Sequence, residues 1–187
     1  MLLLKRPNLV VNSHDVPGPK YTMWATVNAM RGMTASDLLN EIVRWNRAAR
    51  EQEETQLLNV VINCHGREDG GLAIGGKGSG AFVDSQNVNI FSVLKKRNLG
   101  TIWLVACQAA AGVQGKRFCQ LLATNTGCRV IASDEDQWVE AWGAWRLGVV
   151  PGSRNQIDEY EGKVFCFWAD GTSGEIDPHE DIDTILD

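Results

Sequence analysis

The sequence predicts one α/β domain in which helices cover both faces of a mostly parallel β-sheet. Short apolar runs such as residues 101–106 (TIWLVA), typical of strands buried on both faces, alternate with segments of helical apolar spacing. Strands that alternate with helices need crossover connections, which favour parallel pairing. The 187 residues, 44% apolar and 22% charged, suit one domain with a conventional core. The sequence shows no internal repeat and no linker, so the domain is expected to span 1–187.

The predicted strands are short apolar runs that follow one another along the chain. They comprise residues 9–12 (LVVN), 57–63 (LLNVVIN), 101–106, 129–132 (RVIA) and 163–168 (KVFCFW). A short piece at 72–74 lies between glycine pairs and indicates a β-hairpin or excursion. The acidic tail at 175–187 is expected to be loosely held.

Three helices are predicted between these strands. Thr34 and Asp37 have the spacing of a capping box, and a helical stripe continues from them to about residues 50–52. Asp84 or Ser85 could cap a second helix. A third helix covers 114–124, and Gly127 is a plausible C-cap for it. The apolar face of the first helix contains Leu38, Leu39, Ile42, Val43 and Trp45. The apolar face of the second helix contains Val88, Phe91 and Leu94.

Three tryptophans, Trp138, Trp142 and Trp145, have the spacing of one helical face. Such a stripe is more often a packed core face than a partner site. Tryptophan is also enriched at interface hot spots, so docking of a protein activator or dimerisation through this face remains an alternative.

The charge pattern argues against nucleic acid and anionic membranes as partners. The net charge is −5, and the longest basic run, Lys95–Lys96–Arg97, lies at the end of a predicted helix, where it complements the helix dipole. No segment approaches the ~18 apolar residues of a membrane span, and residues 1–11 lack the pattern of a signal peptide. Five cysteines without disulfide-framework spacing indicate reduced thiols and a cytoplasmic location, although leaderless export remains open.

Two other motifs are set aside. Residues 71–78 (GLAIGGKG) nearly match the phosphate-loop pattern, but Gly78 stands where a hydroxyl residue should ligate magnesium, so a hairpin or flap is favoured. Cys64, His65, Cys107 and Cys128 lack the paired spacing of a zinc site, so no metal is expected.

His65 and Cys107 each follow a predicted strand, and they are the candidate catalytic residues. In a parallel sheet both would emerge at the carboxyl edge, where function collects. A thiol needs a neighbouring base to act as a nucleophile, and an imidazole can take the proton and return it to a leaving amine. Gly66 leaves room for a backbone N–H to approach a substrate oxygen.

The order of these motifs resembles the caspase-like cysteine peptidases (clan CD), and is closest to an uncharacterised bacterial branch of that group. The resemblance covers residues 60–134. The matching segments are CHG at 64–66, GGLAIGG at 70–76, ACQAAAG at 106–112, FCQLLATNTG at 118–127 and RVIAS at 129–133.

The resemblance implies a caspase–haemoglobinase three-layer α/β/α sandwich and a cysteine endopeptidase. Cys107 would attack the peptide carbonyl, and His65 would protonate the leaving amine. Backbone N–H groups of Gly66 and Cys107 would hold the oxyanion. Peptidases of this type need no metal or organic cofactor.

The resemblance also indicates where the substrate side chain would bind. The matching positions are His14–Asp15, Val105 and the loop that contains Asp134 and Asp136. Their charge favours a basic P1 residue. Val105 departs from this pattern, because arginine-specific relatives often have an acidic residue there. The other interpretation of residues 134–136 is a solvated surface loop.

A second function class is a peptidase-fold interaction module with weak or no catalysis. The two classes differ in the reactivity of Cys107 toward alkylating reagents. In a peptidase its thiol should react faster than the other four cysteine thiols, and in an interaction module it should not.

Overall fold

The computed structural model describes residues 1–16, 20–67, 70–137 and 154–179. Within these ranges the strands are β1 (Leu2–Leu3), β2 (Asn8–Asn12), β3 (Ala25–Asn28), β4 (Asn59–Asn63), β5 (His65–Gly66), β6 (Gly71–Ala73), β7 (Val83–Asp84), β8 (Thr101–Val105), β9 (Arg129–Ser133), β10 (Gln156–Ile157), β11 (Val164–Phe167) and β12 (Ser173–Ile176). The helices are α1 (Ala35–Gln52), a 3-10 helix (Val88–Lys96) and α2 (Gly112–Thr126).

A seven-stranded mixed sheet lies at the centre of the fold, in the order β12–β11–β9–β8–β4–β2–β3. The five strands from β9 to β3 pair in parallel. β11 instead pairs antiparallel with both β9 and β12. The predicted α/β class is therefore confirmed, with an antiparallel edge that the sequence did not reveal.

The predicted helix ends are confirmed for α1 and α2. Thr34 Oγ1 accepts the Asp37 amide at 3.2 Å, and Asp37 Oδ2 accepts the Thr34 amide at 2.9 Å, which completes the capping box. Gly127 ends α2 in the left-handed region, at φ 73°. The cap predicted at Asp84 or Ser85 is wrong, because Asp84 ends β7 and the 3-10 helix starts after Asn87 without a side-chain cap.

The two faces of the sheet are covered differently. Alternate strand residues such as Val11, Ile62 and Leu104 pack in one apolar cluster with residues of α1, α2 and the 3-10 helix. The opposite face, which includes Val61 and Trp103, packs with another set of side chains. That set comprises Leu2, Leu4, Tyr21, Met23 and Ile157.

The described helices therefore lie on one face only, contrary to the expected cover on both. The other face is covered by β1 and β10, which pair antiparallel, and by side chains near residue 21. Their apolar residues exclude water from the strands there without a helix.

The glycine-rich stretch after β4 forms a small antiparallel sheet of β5, β6 and β7. Leu72 pairs with Gly66 on one side and with Val83 on the other. This agrees with the predicted excursion and positions it at the carboxyl end of β4.

The predicted loose tail is wrong at its start, since Ser173–Ile176 forms β12. Residues 180–187 lie outside the described residues, as do Trp138, Trp142 and Trp145. Across the described ranges, no helix has both the length and the apolar character needed to cross a membrane.

Candidate active site

His65 and Cys107 follow neighbouring parallel strands at the same edge of the sheet. Asn63 at the end of β4 is in register with Val105 at the end of β8. The Cys64 amide also donates to the Val105 carbonyl at 3.2 Å, which extends the pairing beyond the strands. The edge predicted from the sequence is therefore the one that carries both residues.

Gly66 brings the two segments into contact. A methyl group at this position would lie 1.7 Å from the carbonyl oxygen of Cys107 and 3.2 Å from its backbone nitrogen. Only glycine fits at such a separation, because the backbone of Cys107 occupies the space of a side chain. The segment that carries His65 thus lies directly against the residue that carries the thiol.

Cys107 is the most accessible of the five thiols. Its side chain is half-buried, whereas the other four cysteines are buried. Burial raises the pKa of Cys128 and of Cys166 to about 11 in each case, and raises the pKa of Cys64 and Cys119 further. Because the thiolate is the reactive form, these four are poor nucleophiles.

The turn that presents Cys107 is sharp and is held at the end of β9. Gln108 has a φ of 55°, in the left-handed region that non-glycine residues rarely adopt. Its amide donates to the Glu135 carbonyl at 2.8 Å, and the Ala110 amide donates to the Ser133 carbonyl at 2.8 Å. The Cys107 thiol donates to the Gln137 carbonyl at 3.9 Å.

The His65 imidazole is held by Asp15, in the loop after β2. Its Nε2 lies 3.1 Å from the Asp15 carbonyl oxygen and 3.6 Å from the carboxylate Oδ1. The imidazole is 12% exposed. Asp15 was predicted as a substrate-binding residue, so its contact with the candidate base is new.

The Asp15 carboxylate has further partners. Ser13 Oγ donates to Oδ1 and the Lys77 amide donates to Oδ2, each at 2.8 Å. Burial by itself raises the pKa of Asp15, but these hydrogen bonds and the charges of His65 and His14 outweigh it. The pKa therefore lies below its usual range, and the carboxylate is ionised at neutral pH.

Three asparagines form a polar row at this edge, with Asn12 and Asn63 buried and Asn28 exposed, which the sequence reasoning missed. Asn12, Asn28 and Asn63 end β2, β3 and β4, in register. Asn63 Nδ2 donates to Asn12 Oδ1 at 2.9 Å, and Asn12 Oδ1 also accepts the Tyr21 amide at 3.0 Å. A sequence signal was available for β2 and β4, each of which is an apolar run that ends in asparagine, but not for β3 (ATVN).

The other predicted substrate-binding residues are not gathered around His65. Val105 packs with the apolar cluster on the helix-free face of the sheet. Asp134 Oδ1 accepts the Lys163 amide at 2.9 Å, which ties it to the segment before β11. Asp136 is exposed in the loop after β9, which agrees with the interpretation of this segment as a solvated surface loop. Among the described residues, no group of three or more His, Cys, Asp or Glu could hold a metal ion.

The fold and site define an α/β protein with one accessible thiol and a held imidazole at the carboxyl edge of its sheet. A family model described as "Domain of unknown function (DUF4347)" matches residues 24–163, and the chain belongs to that family. The matched range includes His65 and Cys107, while Asp15 precedes it. No curated protein matches the chain, and no solved structure does.

Proposed function

We propose that this chain is a cysteine endopeptidase of the caspase-like type, with Cys107 as the nucleophile and His65 as the general acid and base. The observation that carries the proposal is the contact of Gly66 with the Cys107 backbone at the ends of two neighbouring parallel strands. It places the segment that carries the imidazole against the residue that carries the accessible thiol.

The chemistry follows from these groups. The Cys107 sulfur would attack the peptide carbonyl carbon, and the N–H groups of Gly66 and Cys107 would stabilise the oxyanion. The C–N bond would break as His65 gives its proton to the amine. Water, deprotonated by His65, would then hydrolyse the thioester and restore the thiol.

The assignment of the fold to the caspase–haemoglobinase sandwich, beyond the general α/β class, is part of the same proposal. A caspase–haemoglobinase sandwich has a mostly parallel sheet between two helical layers. The parallel strands β3 to β9 and the helical layer of α1, α2 and the 3-10 helix support the sheet and one of these layers, whereas the opposite face of the sheet is covered by β1, β10 and loop side chains in the described residues.

A basic P1 residue remains part of the proposal through Asp136, whose side chain is exposed in the loop after β9. The loop that contains it continues to Gln137, whose carbonyl contacts the Cys107 thiol. A substrate side chain beside Cys107 would therefore approach this loop.

The interaction module is the second candidate. One observation favours it: the contact of the Cys107 thiol is with the Gln137 carbonyl, at 3.9 Å, and a carbonyl oxygen cannot take up the thiol proton as a general base would. In this case Cys107 would be dispensable for binding a protein partner.

The deciding experiment is cleavage of a fluorogenic peptide library by the wild type and by Cys107→Ala and His65→Ala. Cys128→Ala is the matched control, because this cysteine is buried at the opposite end of β9. Cleavage by the wild type and the control, lost in the other two variants, supports the peptidase. Absence of cleavage, with a Cys107 no more reactive to iodoacetamide than Cys128, contradicts it and favours the module.

A further inference from the structure

We propose that the site selects peptides with acidic side chains at the second to fourth residues after the scissile bond, through Lys77 and Arg31. This inference rests on the proposed peptidase function and deepens it, because it names the substrate class on the side of the thiol where the amine leaves. The preferred substrate would then be basic before the bond and acidic after it.

The order of the strands determines which side of the thiol receives the residues after the scissile bond. β8, which Cys107 follows, lies between β9 and β4, and His65 follows β4. His65 has to reach the leaving amine, so this amine lies on the β4 side of the thiol. The peptide after the bond therefore continues toward β2 and β3, and the peptide before the bond lies toward β9.

Two exposed cations lie on the path toward β2 and β3. The Lys77 side chain is exposed, and its backbone amide donates to Asp15 Oδ2, after β2, at 2.8 Å. Arg31 is exposed in the turn after β3, and the adjacent Gly32 amide donates to the Gly75 carbonyl at 2.9 Å, which brings this turn against the glycine loop. Within the described residues, neither side chain forms an ion pair. Both charges are therefore available to a substrate carboxylate.

The spacing of the strands indicates which substrate residues these cations would meet. Neighbouring strands of a sheet are about 4.8 Å apart, so β2 lies about 10 Å and β3 about 14 Å from β8. An extended peptide advances about 3.4 Å per residue, so these distances correspond to the third and fourth residues after the bond. The side chain of Lys77 is long and flexible, and it also reaches the second residue.

The Asp15 carboxylate lies on the same path, but its charge has internal partners. Its Oδ1 accepts from Ser13 Oγ and lies 3.6 Å from His65 Nε2, while its Oδ2 accepts from the Lys77 amide. The ammonium of Lys77 and the guanidinium of Arg31 have no such partners among the described residues. These two cations therefore determine the sign of the charge that a substrate side chain meets here.

The loop on the other side of Cys107 has the opposite charge. Residues 134–136 are three acids after β9, and Glu135 and Asp136 are exposed. The Glu135 carbonyl accepts the Gln108 amide at 2.8 Å, so this loop adjoins the turn that presents the thiol. A peptide with a basic residue before the bond and acidic residues after it is complementary to both sides. The reversed peptide would meet like charges on both sides.

The first test uses internally quenched peptides with arginine before the scissile bond that differ only in the third and fourth residues after it, which are both Asp, both Asn or both Lys. At low salt we expect the wild type to cleave the Asp peptide with a kcat/KM about threefold above that for the Asn peptide, because exposed ion pairs are weak. This ratio should approach one at about 0.5 M salt, which screens such charges. Equal cleavage of the Asp and Asn peptides at low salt would contradict the proposal.

Charge variants show whether the two cations cause this preference. Arg31→Gln combined with Lys77→Gln removes both charges and retains the backbone amide that binds Asp15, and the Asp/Asn ratio should fall to about one. Arg31→Glu combined with Lys77→Glu should favour the Lys peptide. The control is Lys96→Gln, an exposed lysine that precedes β8 and so lies at the opposite edge of the sheet, and it should keep the wild-type ratio. A ratio retained in the neutral pair, or lost in the control as well, would overturn the proposal.

A binding measurement separates this inference from the proposed peptidase function. Fluorescence anisotropy of the same labelled peptides with Cys107→Ala needs no cleavage. It should show tighter binding of the Asp peptide than of the Asn peptide, and this difference should disappear when Arg31→Gln and Lys77→Gln are added. If the wild type cleaves no peptide and the difference persists, the peptidase function fails and the cationic peptide-binding surface stands. Equal binding of the two peptides would refute the surface, whatever the wild type cleaves.

Discussion

Gly66 and Cys107 touch backbone to backbone, since a methyl group on Gly66 would lie 1.7 Å from the Cys107 carbonyl oxygen. The requirement for glycine here is one of space, because the obstacle is another part of the main chain. Main-chain atoms cannot move aside as the end of a flexible side chain can. This contact fixes the separation of the two segments that carry the candidate catalytic residues.

Gly66→Ala should therefore separate these segments and destabilise the protein. We expect a loss of about 3 kcal/mol in the free energy of unfolding, or failure to fold, and slower alkylation of Cys107. Urea denaturation measures the first and timed iodoacetamide labelling the second. The control is Gly174→Ala, where the nearest atom is 3.7 Å away on the Trp168 ring. Equal stability of the two variants would contradict the contact.

Alkylation should discriminate among the five cysteines. We expect iodoacetamide to label Cys107 at least about tenfold faster than the others at pH 8, because burial raises the pKa of Cys128 and Cys166 to about 11 and protects both thiols. Peptide mapping by mass spectrometry measures each rate. In urea the five rates should converge, and uniform labelling of the native protein would refute the prediction.

The left-handed conformation of Gln108 makes the turn after Cys107 sensitive to β-branching. Gln108→Val should lower the free energy of unfolding by about 2 kcal/mol, because a β-branched residue is strained at φ 55°. Gln108→Gly should stay within about 1 kcal/mol of the wild type, since glycine adopts this region freely. Thermal and urea unfolding check both, and a Val variant as stable as the Gly variant would be inconsistent with the turn.

The Asp15 carboxylate should make stability dependent on pH in a definite direction. The pKa of Asp15 is lower in the folded protein than in the unfolded chain. The carboxylate therefore contributes to the free energy of unfolding above the unfolded pKa of about 3.9, and this contribution is lost as the pH falls through the folded pKa. The difference in unfolding free energy between wild type and Asp15→Asn should therefore be largest near pH 7 and shrink below about pH 4. Urea unfolding from pH 7 to 3 measures it, and a constant difference would contradict this sign.

The sequence located the buried parallel strands and the capped helices well, because these elements have local causes. β4 and β8 are continuous apolar runs, and α1 begins with a capping box. The missed strands have no such signal. β12 (SGEI) is a half-exposed edge, and β3 (ATVN) follows a proline-rich loop and is stabilised by its pairing with β2.

For the site, position at a strand end was enough to indicate His65 and Cys107, since parallel strands share a carboxyl edge. The partner of His65 was not predictable in this way. Asp15 reaches the imidazole only because β2 pairs in register with β4, and that pairing is not local in sequence. The asparagine row depends on the same register.

The residues at this edge come from the segments that follow four different strands: Asp15 after β2, His65 after β4, Cys107 after β8 and Gln137 after β9. Their arrangement exists only when all four strands have paired. A chain still emerging from the ribosome lacks it until the segment through residue 137 has been made and folded. Any chemistry that depends on this arrangement would therefore begin only after these four strands have paired.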